Sequence, residues 1–150
     1  MEGGRGPAAA GEGFRRLLSD PALRALAEAG EPEADPGRGE VAVGFGSNIY
    51  VVARASGRRV ELSMKIYDVA EAVARGATVA EAAASLCGAA RWLLRAWEAA
   101  LGLALGLAAS VRGEEGAEEI RRLAEPVTEA MDRAAEAVCA ASGRAGEPGD

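Results

Sequence analysis

The stretch "TVAEAAASLCGAARWLLRAW", residues 78–97, sets Arg91 and Arg95 one helical turn apart with Trp92 between them. A guanidinium can grip a phosphate in bidentate fashion, and an aromatic ring beside it can stack on a nucleobase or anchor a protein interface. With Arg75 upstream, these are the candidate residues for contact with nucleic acid or with another protein. Catalytic candidates are scarce. The 150 residues include no His, which removes the usual base at neutral pH and the commonest metal ligand, and with them Ser-His-Asp, Cys-His and His-bearing zinc sites. General acid-base chemistry would rest on carboxylates, Tyr or Lys65 alone. No enzymatic activity, cofactor or metal is therefore expected.

Three further patterns carry little chemistry. Glu114/Glu118, Glu115/Glu119 and Glu125/Glu129 repeat at four-residue spacing, but di-iron bundles need Glu-x-x-His partners. Glu118 with Arg122 and Glu129 with Arg133 read as ordinary pairs on a solvated helix face. "GFGSN", 44–48, lacks the third glycine and the following helix of a phosphate loop and reads as a β-turn. Cys87 and Cys139 stand 52 positions apart without C-x-x-C spacing. They are read as buried thiols, the alternative being a disulfide of the kind hot-adapted intracellular proteins make.

The elements that must position these residues follow from composition and period. Of the hydrophobic residues 36 are Ala, the best helix former, so a mostly helical single domain held by close backbone approach is expected over 14–141. Arg outnumbers Lys sixteen to one and Asn48 is the single amide, as a high-GC genome or a hot habitat would favour. Residues 1–13 and 142–150 are poor in large apolar side chains and are expected to be disordered arms. The N-terminus has neither the basic nor the apolar region of a signal peptide, and a cytoplasmic location is expected. The uncharged run Ala99–Val111 has 13 residues, fewer than the ~20 that span a bilayer. It is expected to be a buried helix, with no membrane partner.

Asp20, Pro21 and Gly30 punctuate a helix over "PALRALAEA", and "EPEADPGRG", 31–39, reads as a linker. Over 40–66 the period changes to two, with "EVAVGF", "IYVVAR" and "RRVELSMKI" separated by turn signals. Three antiparallel strands are expected there. Asp68 is placed as the cap of a helix "VAEAVAR" ended by Gly76, and Thr78 with Glu81 forms a capping box for the next helix. From Gly88 the apolar pattern runs to Val111, "RGEEG" at 112–116 reads as a loop, and Ile120, Leu123, Val127, Ala130, Ala134 and Ala137 keep a coiled-coil-like spacing. The expected fold is thus α+β and mainly helical, with a small three-stranded antiparallel sheet (about 40–66) between an N-terminal helix and a C-terminal helical hairpin.

"DVAEAVAR", "TVAEAAASL", Gly88 and "AARWLLRAW" resemble, over about 30 residues, the tri-helical helix-turn-helix of transcriptional regulators. The resemblance implies a turn at Gly88 and a reading helix that brings Arg91 and Arg95 to DNA. Against it stands one long apolar helix bent at Gly88, in which Arg91, Arg95 and Glu98 form a solvated stripe. In size and element order the chain also resembles the small helical subunit of archaeal CRISPR effector complexes, which implies an RNA-bound assembly and a spatial cluster of Arg54, Arg58, Arg59, Arg75, Arg91 and Arg95. Gly88, Gly102 and Gly106 cost about 1 kcal/mol each inside a helix, and a close-packed neighbour would offset that cost. That neighbour is either the chain's own last helix or a second copy. The favoured expectation is a non-catalytic helical interaction module, a homodimer or a small subunit of a larger assembly. Its contact surface is expected around Arg91, Trp92, Arg95 and the glycine face.

Overall fold

The computed structural model describes residues 7–66 and 69–143. Parts of both expected terminal arms and the Asp68 cap lie outside them. Two helices come first, α1 (Pro7–Ser19) and α2 (Pro21–Ala29), followed by five strands: β1 (Glu31–Asp35), β2 (Glu40–Gly44), β3 (Ile49–Ser56), β4 (Arg59–Ile66) and β5 (Ala70–Gly76). The strands form one antiparallel meander in the order β1-β2-β3-β4-β5. A single long element, α3 (Val79–Ser142), completes the chain.

This corrects the expected architecture in three places. The sheet has five strands, not three, because the runs over 40–66 gain a strand on each edge. β1 lies in the stretch read as a linker, and its register, Glu31 opposite Gly44 through Asp35 opposite Glu40, is fixed by β2. β5 replaces the helix "VAEAVAR": Ala70, Ala72 and Ala74 turn inward and Glu71, Val73 and Arg75 outward, so the hydrogen-bonding edge of β4 overrides alanine's helix propensity. Nor is 112–116 a loop between two separate C-terminal helices, since the chain there is one long helical element broken at a single residue. Helical geometry runs from Val79 to Ser142 with one non-helical residue, Gly113 at φ 72° and ψ −164°, and Pro126 lies inside the helix.

One face of the sheet carries Val41, Val43, Val51, Ala53, Leu62 and Met64, all buried. Leu17 of α1, Leu23 and Leu26 of α2, and Val79, Ala83, Leu86, Met131, Ala134 and Val138 of α3 join them in one core. The other face is polar: Glu40, Arg54, Glu61 and Arg75 stand in register across β2 to β5. Arg54 bridges Glu40 and Glu61, and Arg75 pairs with Glu61 at 2.8 Å. Packing is close at Gly30, where a Cβ would lie 2.6 Å from the Gly44 carbonyl oxygen and 2.7 Å from Val43.

A single carboxylate sets where α2 and α3 begin. Asp20 Oδ1 accepts from the Ala22 N–H at 2.8 Å, capping α2, while Oδ2 accepts from the Val79 N–H at 3.1 Å at the first residue of α3. Thr78 caps the same end locally by accepting from the Glu81 N–H at 3.2 Å. A lost cap costs about 0.5–2 kcal/mol. Asp20→Ala, which removes two such contacts, should lower unfolding free energy by about 2 kcal/mol in urea titrations, whereas Asp20→Asn, keeping one acceptor oxygen, should lose about half of that.

Candidate interaction surface

α3 is built as two arms. The first, Val79 to Arg112, is about 50 Å long and the second, Glu114 to Ser142, about 43 Å at 1.5 Å per residue. Gly113 reverses the chain between them, in a backbone region that only glycine occupies readily. Gly116 allows the reversal to close tightly, since a Cβ there would meet Arg112 Cβ at 2.7 Å and the Ala108 carbonyl oxygen at 3.1 Å. The arms run side by side in opposite directions. Near the sheet Cys87 and Cys139 are joined as a disulfide with Cα atoms 4.8 Å apart, which corrects their reading as buried thiols. Farther out the Trp97 Nε1–H donates to Thr128 Oγ1 at 2.7 Å, and that hydroxyl donates to the Ala124 carbonyl at 3.1 Å.

Burial falls away along the arms. Leu86 and Ala90 of the first arm are fully buried, but beyond Ala90 no residue of that arm is. The run Ala99–Val111, expected to be a buried helix, is therefore corrected to an exposed one. The sheet and α2 cover only the base of α3, and the second arm touches only one side of the first. Trp92, Leu103, Leu107, Val111 and, on the second arm, Leu123 are 60–80% exposed. Between the arms lies a groove of about 360 Å³ lined by Trp97, Ala100, Leu101, Ala104, Leu123 and Val127, among others. By length and composition alone, α3 contains a stretch apolar enough to cross a membrane.

The sequence-derived candidates are dispersed. Arg91, Trp92 and Arg95 are all exposed on the first arm, and neither arginine makes an ion pair among the described residues. Arg75 is on β5 across the sheet from them, held by Glu61. Arg54 is likewise paired on the outer sheet face, with Arg58 and Arg59 at the β3–β4 turn, so the arginines of the sheet lie apart from Arg91 and Arg95 of the arm. Gly88 sits inside uninterrupted helix and the segment before Thr78 is a strand, so the turn and first helix of a helix-turn-helix do not form. A Cβ on Gly88, Gly102 or Gly106 would meet nothing within 4 Å. The chain's own last helix is therefore not the neighbour of that face.

No protein-family model, no curated protein and no solved structure matches this chain. What the surface can do must then be read from its own chemistry. Among the described residues no group of three or more His, Cys, Asp or Glu is placed to hold a metal ion. A second, open cleft of about 970 Å³ at the end of the sheet is lined by Gly30, Glu31, Phe45, Tyr50 and Arg133, among others. The Arg133 guanidinium in it donates to the Phe45 carbonyl at 2.6 Å, which ties the arm to the "GFGSN" hairpin turn. What reasoning from sequence missed is the outward apolar face of the arms. Its signal was the 13-residue uncharged run itself, too long to be covered by so small a sheet.

Two measurements check this geometry. Gly102→Ala and Gly106→Ala should each raise monomer stability by up to about 1 kcal/mol, while Gly113→Ala should lower it by about 1–3 kcal/mol through backbone strain. Thiol titration of the denatured chain should find no free thiol before reduction and two after it.

Proposed function

We propose that the chain is a non-catalytic interaction module, a homodimer or a small subunit of a larger assembly, whose working surface is the projecting part of α3. One observation carries the reading: large apolar side chains on a pair of helices extend beyond the core and are covered by none of the described residues. Soluble proteins rarely leave a contiguous apolar patch of this kind exposed, and where they do it marks a contact site. The disulfide and the Trp97–Thr128 hydrogen bond hold the arms together without the sheet's help, so the surface is preorganised. Little conformational entropy is then lost on docking. Trp92 lies at the edge of this surface and Arg91 and Arg95 at its base, where they form a polar rim rather than a nucleic-acid platform.

The test is hydrodynamic. In sedimentation velocity the full chain should appear as a species heavier than its 15.2 kDa, alone or with a partner protein. Leu103→Glu combined with Leu107→Glu should return it to a folded monomer. A monomer that binds duplex DNA or single-stranded RNA with a steep salt dependence, unchanged by those two substitutions, would overturn the reading.

A further inference from the structure

From the shape and charge of the arms we infer that the occupant of the inter-arm groove is a second copy of this chain, docked antiparallel, so that the two pairs of arms form a four-helix bundle with each tip beside the other copy's base. The inference rests on the reading of the arms as an interaction surface and names the partner.

Three features make the surface complementary to its own inverted copy. The first is the apolar face. Ala96, Ala100, Leu103, Leu107 and Val111 follow one another at three- and four-residue intervals on the first arm, all of them exposed, and they flank the groove that Leu123 and Val127 line from the second arm. No charged residue lines the groove. This is the stripe of a bundle helix with its partner missing.

The second is charge. Arg91 and Arg95, which make no ion pair among the described residues, sit toward the base of the first arm's projecting half, while at the tip Arg112 pairs with Glu119 and Arg121 with Glu118, which leaves Glu114 and Glu115 as the tip acids without an ion pair among the described residues. Cys87 lies opposite Cys139 and Trp97 opposite Thr128, so the tip acids lie at the level of residues about 107–112 of the first arm. A two-fold axis through the middle of the groove, near residue 101 or 102, brings that level against residues about 91–96 of the other copy. Acidic tip then meets basic rim twice in each dimer. A parallel pairing would instead set Glu114 and Glu115 of one copy against the same two of its partner. An isologous contact of this kind closes as a dimer.

The third is fit. Leu123 stands at about the level of Leu103, close to that axis, so in the antiparallel arrangement it faces the part of the partner's groove lined by Ala100 and Ala104. A large side chain meets a hole between small ones, the knobs-into-holes arrangement of helical bundles. About 20 residues of paired helix, roughly 30 Å long and 20 Å wide, would bury on the order of 1,200 Å² in total, the lower bound for a stable specific interface. A bilayer is a poor occupant by contrast. Alongside the apolar run, at the same height, the second arm carries Glu114, Glu115, Glu118, Glu119, Arg121 and Arg122, and each charge at membrane depth costs about 2.5–3.5 kcal/mol.

Sedimentation equilibrium and electron-electron distance measurements on the full chain test this. The wild-type mass should be twice 15.2 kDa. Leu123→Glu should raise the dissociation constant by at least about 100-fold, since it buries an unpaired charge, with the helical circular dichroism retained. A spin label at Glu114→Cys should give an inter-copy distance of about 30 Å, against under ~20 Å for parallel arms. Arg91→Glu with Arg95→Glu should weaken the dimer about 10-fold, and mixing that chain with one carrying Glu115→Lys and Glu118→Lys should restore it. A dimer with the short label distance overturns the antiparallel arrangement. A chain that is monomeric at all concentrations overturns the inference as a whole. If that monomer binds another protein and loses it on Leu103→Glu with Leu107→Glu, the interaction-module reading survives. If it binds none, both fail. Insertion of the monomer into phosphatidylcholine vesicles likewise overturns the second copy as occupant.

Discussion

The constraint on which the rest of the structure depends is a mismatch of lengths. The longest strands of the sheet have eight residues, about 27 Å at 3.4 Å per residue, and five strands side by side span a similar width. The first arm of α3 is nearly twice as long. A helix that starts against such a sheet must run off it, and what it carries beyond the edge can be covered only by its own return. The return supplies one side. The remaining sides stay open because a two-helix hairpin has no interior that could cover them.

Given that constraint, the local chemistry at a few positions decides where the arms point. Asp20 couples the start of α2 to the start of α3 through the two oxygens of one carboxylate, so the exit angle of the arm is tied to the N-terminal helices rather than to the sheet alone. Gly113 alone among the residues of α3 leaves the helical region. Leu86 and Ala90 on one arm and Ala134 and Val138 on the other are buried in the core, which anchors both at the base. The disulfide lies within that base, since core burial continues tipward of it to Ala90 on one arm and to Ala130 on the other. Farther out the Trp97–Thr128 hydrogen bond links the arms.

Much of this was legible in the residues, for reasons that can be stated. Asp20, Pro21 and Gly30 mark α2, and Thr78 with Glu81 marks the start of α3, because caps act through bonds to neighbours in the chain. Strands β2, β3 and β4 alternate apolar with polar residues, so their period appears in the sequence. The edge strands do not announce themselves. β1 is "EPEAD", with five exposed residues, and it exists because β2 offers it a hydrogen-bonding edge. β5 is spelled in alanines, and only the tertiary choice of β4 as a neighbour makes it a strand. The disulfide follows from the sequence only as an alternative to buried thiols, since two cysteines 52 residues apart meet only where the chain has reversed at Gly113. The arms show the limit of periodicity most clearly. An apolar stripe at helical spacing says that something will cover it, but not whether that something belongs to the same chain.

The two faces of the molecule divide the consequences. On the outer sheet face, charges stand in register and neutralise one another across four strands, which leaves little for a partner to gain there. On the arms, apolar surface is continuous, while Arg91 and Arg95 lie toward the base and Glu114 and Glu115 at the tip. Apolar area drives association without regard to direction, so by itself it would permit several alignments, parallel ones included. In the proposed dimer the separation of Arg91 and Arg95 from Glu114 and Glu115 would penalise those alignments by placing like charges together, which is how specificity is obtained when attraction alone does not discriminate. In the proposed dimer the unpaired acids of the tip are then determinants of orientation, and they can act so only because the helix outruns the sheet.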